Sequence, residues 1–199
     1  MKSGKAPYVS PEDFLVALDA QLGLNATRNR VALLLTYMLG LRAKEAAALR
    51  VKDVWDYRKS EPKKVVRLLG SMTKGNKYRE VFITDMKLRE CLIELLATRL
   101  GSPDGPLLLS QKGGAFTPDT MQKLLAQCWK KAMIGASSHS GRRSFATNLI
   151  RNGADIYSVK QMMGHTSIAT TEVYFSSDPN LLMAHMDRMS QSVHSAKAS

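Results

Sequence analysis

The sequence predicts a mainly α chain with a small antiparallel β-sheet, an α+β class. Three observations carry that prediction. Apolar and amphipathic segments with helix start and stop signals fill most of the 199 residues. One stretch, "VVRLLGSMTKGNKYREVFIT", changes to the short β-type runs of strands. A Gly75-Asn76 turn signal divides that stretch in two.

The elements follow in order. In "SPEDFLVALDAQL", Ser10 is placed to cap a first helix, Pro11 to open it, and Glu12 and Asp13 to fill its first turn. Phe14, Leu15, Leu18 and Leu22 share one face of it. A second helix is expected from about Thr27 to Leu39; it is nearly all apolar after Arg30, so it should be buried, and Gly40 stops it. Ala43–Leu49 reads as an alanine-rich third helix. "VVRLLG" and "YREVFIT" form a hairpin with a Lys-rich tip, and Val54 and Trp55 supply an earlier strand. A helix runs from about Asp85 to Leu100 and ends at Gly101. After a loop, Thr117 and Pro118 start a helix reaching about Met133. The helix after "HSGRR" ends at Gly153, and Asp155 caps a short one ending at Gly164. Ser167 caps another that reaches Tyr174. Asp178-Pro179 opens the last helix, with Leu182, Met183, Met186 and Met189 on one stripe, which packs either on its own core or on a neighbouring subunit.

Length suits one domain, with room for a small appendage, and 44% hydrophobic residues suffice for a core. The formal net charge is +12, from 29 Lys plus Arg against 17 Asp plus Glu, which points to a polyanionic partner. The sequence shows no lipidation signal, signal peptide or membrane-length apolar run, so a membrane partner is not expected. Cys91 and Cys128 lack metal-ligand or disulfide spacing and read as inert core thiols of a cytoplasmic protein.

The charge is uneven. Residues 58 to 80 hold Arg58, Lys59, Lys63, Lys64, Arg67, Lys74, Lys77 and Arg79 against Glu61 and Glu80. Residues 120 to 154 contain no acid and carry Lys123, Lys130, Lys131, Arg142, Arg143 and Arg151. Two unbalanced clusters favour a polyanion groove. Lys63, Lys64, Lys77, Arg79, Lys123, Lys130, Lys131 and Arg143 are accordingly the candidate contacts to such a polyanion, most often a nucleic acid.

Chemistry at a phosphodiester needs fixed cationic donors, a nucleophile and a proton source for the leaving alkoxide. No carboxylate-rich or Cys/His cluster suits a catalytic metal, so neither a metal nor a cofactor is expected. The side chains that could serve are Arg42 in "GLRAKEAAALR", Lys74 at the hairpin tip, His139 and Arg142 three apart in "HSGRR", His165 after Gly164, and Tyr174. Each alone is a weak signal, since such residues far more often cap, pack or stay solvated.

Taken in order, "GLRAKEAAALR", "TKGNKYREVFIT", "HSGRRSFATNLI" and "MMGHTSIATTEVYF" resemble the active-site motifs of the tyrosine recombinase, or phage integrase, family. The resemblance implies the catalytic-domain fold of that family over residues 9–178, with a short leader at 1–8 and a C-terminal helix and tail at 179–199 that packs in cis or in trans. The match covers only the catalytic domain and not the separate helical domain that precedes it in full-size members, which implies either a naturally minimal member or the catalytic half of a larger one.

By the same resemblance, Arg42 and Arg142 clamp the scissile phosphate, with His139 as acid/base or phosphate donor. Lys74 protonates the leaving 5′-oxygen, His165 hydrogen-bonds the phosphate, Tyr174 is the nucleophile, and Glu45 supports the site. The family commonly has a histidine after the second arginine; here Arg143 stands there and takes no catalytic role. The implied activity is site-specific recombination of double-stranded DNA through a 3′-phosphotyrosine, without metal or ATP. The implied assembly is a homotetramer on synapsed DNA, a monomer or weak oligomer without it, with DNA-bending proteins as accessory partners. A DNA-binding regulator that keeps the fold without strand exchange, and a type IB topoisomerase-like activity, are the alternatives.

Overall fold

The computed structural model describes residues 6–72, 78–97, 102–174, 183 and 186–191. Helices dominate, as expected, with two small antiparallel sheets. The backbone contacts divide the chain into two compact units, Met1–Phe145 and Ala146–Ser199.

In the first unit, helix α1 spans Pro11–Asp19 and is capped by the Ser10 hydroxyl, which accepts from the Asp13 N–H. It is shorter than its hydrophobic pattern suggests. Phe14, Ala17 and Leu18 are buried; Leu15 is exposed because it lies on the flank of the helix away from Ala17, and Leu22 because the helix closes at Ala20 and the chain turns through Gly23 at φ 82°. Helix α2 (Ala26–Tyr37) is buried from Val31 to Tyr37 on every face, which explains why its sequence shows no polar stripe. Leu33, Leu34 and Leu35 are fully inaccessible; burial of each contributes roughly 1.5–3 kcal/mol. The Phe14 ring stacks on Tyr37 with centroids 3.7 Å apart, and the Trp129 ring closes on Phe14 at 6.2 Å.

Helices α3 (Ala43–Ala48) and α4 (Val51–Val54) follow; Val54 ends a helix instead of starting a strand. Strands β1 (Trp55–Asp56) and β2 (Glu61–Pro62) pair antiparallel. Strands β3 (Val65–Leu68) and β4 (Arg79–Phe82) form the expected second pair, in register Val65↔Phe82 to Leu68↔Arg79. The turn with Lys74, Gly75, Asn76 and Lys77 lies outside the described residues. Alternation along β4 buries Arg79 and Val81 and turns Phe82 out. Helices α5 (Met86–Ala97) and α6 (Pro118–Lys131) complete the frame; α6 opens on a Thr117 cap and Pro118. It stops short of Met133, which takes φ 57°. Cys91 and Cys128 are free and buried, as expected of core thiols.

Helix α7 (Ser140–Arg151) begins in the first unit. In the second, Asp155 caps α8 (Ile156–Met163) by accepting from the N–H groups of Tyr157 and Ser158. Gly164 ends that helix at φ 60°, ψ 44°, the left-handed geometry a glycine adopts without penalty. The Ser167 hydroxyl accepts from Ala169 N–H ahead of α9 (Ala169–Glu172), which stops before Tyr174. Residues 186–191 are helical, and Met183, Met186 and Met189 are exposed. Asp178, Pro179 and Leu182 lie outside the described residues. No described helix is long and apolar enough to cross a membrane.

Candidate active site

The arginine cluster is built where α2 ends. Gly40 takes φ 61°, and a Cβ there would run into the Phe145 ring. This tight corner directs Leu41 into the core and places Arg42 at the head of α3 in an extended conformation. The Arg42 N–H donates to Glu45 Oε2 at 2.7 Å, the Glu45 half of a capping box. The Arg42 guanidinium donates back to Glu45 Oε1 at 2.8 Å. The backbone and side chain of one arginine are therefore fixed by a single carboxylate.

Helix α7 supplies the second arginine. Gly141 allows its first turn to approach α2, since a Cβ at Gly141 would fall 2.5 Å from the Thr36 hydroxyl. Arg142, one residue on, donates through Nη1 to the Gly40 carbonyl. The same nitrogen stands 3.9 Å from Glu45 Oε2. Arg42 and Arg142, a hundred residues apart in sequence, thus converge on one carboxylate. The Arg42 side chain is 25% exposed and that of Arg142 9%, while Glu45 is fully inaccessible.

A third arginine joins them. Arg79 Nη2 donates to Glu45 Oε2 at 2.5 Å, with its side chain only 6% exposed. The sequence places Arg79 among surface DNA contacts; the structure puts it inside instead. Its period-two position beside Val81 and Ile83, both buried, is the signal that identifies it. Burial opposes ionisation of Glu45, but Arg79, the Arg42 N–H, Arg142 and the Arg42 charge outweigh it and hold the carboxyl below its usual range. Burial also pulls Arg79 down, opposed chiefly by Glu45.

His139 is exposed just ahead of α7; its carbonyl accepts from Arg143 N–H, so the imidazole and Arg142 leave the same first turn. Arg143 is half-buried and donates to the Ala6 carbonyl, a packing contact that sequence reading had not assigned. Ser144 reinforces that anchorage by accepting from Val9 N–H at 2.8 Å. Lys63 is half-buried, with Nζ donating to the Lys52 carbonyl at 2.6 Å. Lys64, Lys123, Lys130 and Lys131 are exposed. Lys74 and Lys77 lie outside the described residues.

The second unit holds the remaining pair. His165 follows the Gly164 cap, its N–H donating to the Lys160 carbonyl at 3.1 Å. Its Nδ1 lies 3.0 Å from the hydroxyl of the fully buried Thr171. The Thr171 carbonyl in turn accepts from Tyr174 N–H at 2.9 Å. The His165 and Tyr174 rings stand 6.2 Å apart and nearly parallel, at 14°. Tyr174 is half-buried. Among the described residues there is no His/Cys/Asp/Glu group able to hold a metal ion.

The predicted site residues thus form two groups, an arginine cluster on a buried carboxylate in the first unit and a histidine beside a tyrosine in the second. The chain belongs to the phage integrase family, whose model matches residues 12–180. It is 34% identical over 163 residues to tyrosine recombinase XerC of Methylobacterium sp. (strain 4-46), covering 79% of this chain and 48% of that protein. It is 34% identical to tyrosine recombinase XerD of Staphylococcus epidermidis, covering 85% of this chain and 58% of that protein. Its fold matches the crystal structure of XerA recombinase with a TM-score of 0.73 and 26% identity, over 95% of this chain and 65% of that one. It matches XerH site-specific recombinase bound to a palindromic difH substrate, a post-cleavage complex, with a TM-score of 0.72 and 25% identity, over 93% of this chain and 53% of that one. The chain spans about half the length of the curated relatives it matches.

Proposed function

We propose that this chain is the strand-cleaving part of a site-specific DNA recombinase that acts through a 3′-phosphotyrosine. The observation that carries the reading is the convergence of Arg42 and Arg142 on Glu45. Two guanidiniums held beside one another by a buried carboxylate form a preorganised receptor for a phosphodiester.

In this reading the Tyr174 phenol oxygen attacks phosphorus and the P–O5′ bond breaks. The phenol proton passes to His139 acting as base, and Lys74 gives a proton to the departing 5′-oxygen. His165 donates to a non-bridging oxygen, and its contact with Thr171 fixes which nitrogen is turned away for that purpose. Arg42 and Arg142 stabilise the charge that gathers on the phosphorane. The covalent intermediate keeps the energy of the broken bond, so a 5′-hydroxyl from another strand can reverse the step and complete the exchange. Exposed Lys64, Lys123, Lys130 and Lys131 contact the duplex backbone. The working assembly is a homotetramer on two synapsed duplexes in the cytoplasm, with DNA-bending proteins assisting.

The test is covalent capture. A target duplex is first selected from a randomised library by binding, then nicked next to the cleavage point so that the product drifts away. The wild type is expected to give a detergent-resistant protein–DNA adduct and Tyr174→Phe none. No adduct with the wild type on its selected site, or an equal adduct with the variant, overturns the reading.

A further inference from the structure

Arg79 is the one buried arginine of the cluster that the catalytic motifs leave without a task. It arrives from β4, whose alternation sends it inward with Val81. Its contact with Glu45 Oε2, at 2.5 Å, falls on the oxygen that also accepts the Arg42 N–H and lies 3.9 Å from Arg142. Its side chain is the least exposed of the three, so it cannot reach a phosphate without leaving Glu45.

We propose that Arg79 is a positioning residue for the two phosphate-holding arginines, acting through Glu45. It saturates Oε2 and so keeps Arg142 at the Gly40 carbonyl; without it, the under-compensated carboxylate competes for Arg142 and tilts its guanidinium off the geometry that cleavage needs, while its charge stays beside the phosphate. It also ties β4, the strand that follows the Lys74 segment in sequence, to the head of α3. The inference rests on the phosphoryl-transfer reading above. Among the described residues the charges acting on Glu45 are Arg79 from β4, Arg142 from α7 and Arg42 at the head of α3. Helices α2 and α6 and the turn Gly70–Met72 also pack on α3 and add none.

The experiment measures single-turnover cleavage of the nicked substrate at saturating protein, together with binding across salt concentrations. For Arg79→Gln we expect cleavage ~10–100-fold slower, the cost of a misplaced catalytic group. Binding affinity and its salt slope should stay at wild-type values, because no phosphate contact is lost. The acid limb of the rate profile should move to higher pH, because Glu45 loses its main compensating cation. Arg79→Lys should recover part of the rate. On a Glu45→Gln background, Arg79→Gln should cost less than about twofold more, as expected when two residues act in series.

A salt slope reduced by about one marks a direct phosphate contact and overturns the inference. So does a rate and pH profile equal to wild type, or a full additional loss on the Glu45→Gln background. If Arg79→Gln does not fold alone, the doubly neutral Glu45→Gln/Arg79→Gln pair, compared with Glu45→Gln, carries the same test. A wild type that forms no adduct defeats the recombinase reading; a wild type that cleaves, with Arg79→Gln matching it, defeats this inference alone.

Discussion

Arg142, in the first turn of α7, donates its guanidinium to the backbone carbonyl of Gly40, two residues ahead of Arg42. The second arginine is therefore oriented by the same corner that presents the first. That corner depends on the absence of a side chain at residue 40, because the Phe145 ring fills the space a Cβ would need. Gly40→Ala should lower stability by roughly 2–4 kcal/mol, from left-handed backbone strain and overpacking together. Urea unfolding measures the loss, and DNA cleavage should fall further than the remaining folded fraction explains. A midpoint equal to wild type would show that the corner tolerates a side chain.

Glu45 makes stability depend on pH. Its folded carboxyl sits below the ordinary glutamate value of about 4.3 despite complete burial, because three arginines and a backbone N–H favour the anion. The stabilisation is fully present above the unfolded value and is lost as pH falls through the lower folded one. Over that interval the unfolded chain binds a proton that the folded chain does not, so stability rises with pH. Urea midpoints between about pH 6 and 2 should fall more steeply for wild type than for Glu45→Gln. Parallel curves would show that Glu45 does not contribute this component.

Thr171 serves two partners, His165 through its hydroxyl and Tyr174 through its carbonyl. Thr171→Val keeps the shape and the carbonyl but removes the hydroxyl. It should slow cleavage about tenfold by freeing the imidazole to rotate, with binding unchanged and Thr171→Ser restoring most of the rate. Wild-type cleavage by the valine variant would show that His165 needs no such support.

Burial pushes the Cys128 thiol up to about 11, and Cys91 is raised by the same cause. Neither should react with iodoacetamide at about pH 8 in the folded protein, since the thiolate is the nucleophile. Both should label on unfolding. Labelling of native protein at the rate of a free thiol would contradict the packing around α5 and α6.

The helix frame was legible in the sequence where local chemistry sets it. Ser10 and Pro11 opened α1, Thr117 and Pro118 opened α6, and Asp155 and Gly164 bounded α8, each as expected. The limits of α1 were less legible, because an apolar pattern continuing through Leu22 does not reveal where the backbone leaves the helix. At the site, local sequence suggested Arg42, Arg142, His165 and Tyr174 as chemical groups, but only their ordered motifs joined them into one proposal. Arg79 was misread because it sits in a run of surface cations. Strand parity, which pairs it with Val81 and not with Glu80, was the clue available. The contact of Arg143 with Ala6 depends on a chain crossing that no local pattern encodes.

Among the described residues Glu45 faces three guanidiniums with a single negative charge, so cations outnumber the carboxylate at this corner. A phosphodiester in its resting form carries one negative charge; the five-coordinate species formed on attack carries one more. For the reaction proposed here, a corner where arginines outnumber the carboxylate favours the more highly charged fleeting species over the resting one. Folding has already met the cost of crowding those like charges together, and the strand being cut gains the benefit only as it approaches the point of breaking.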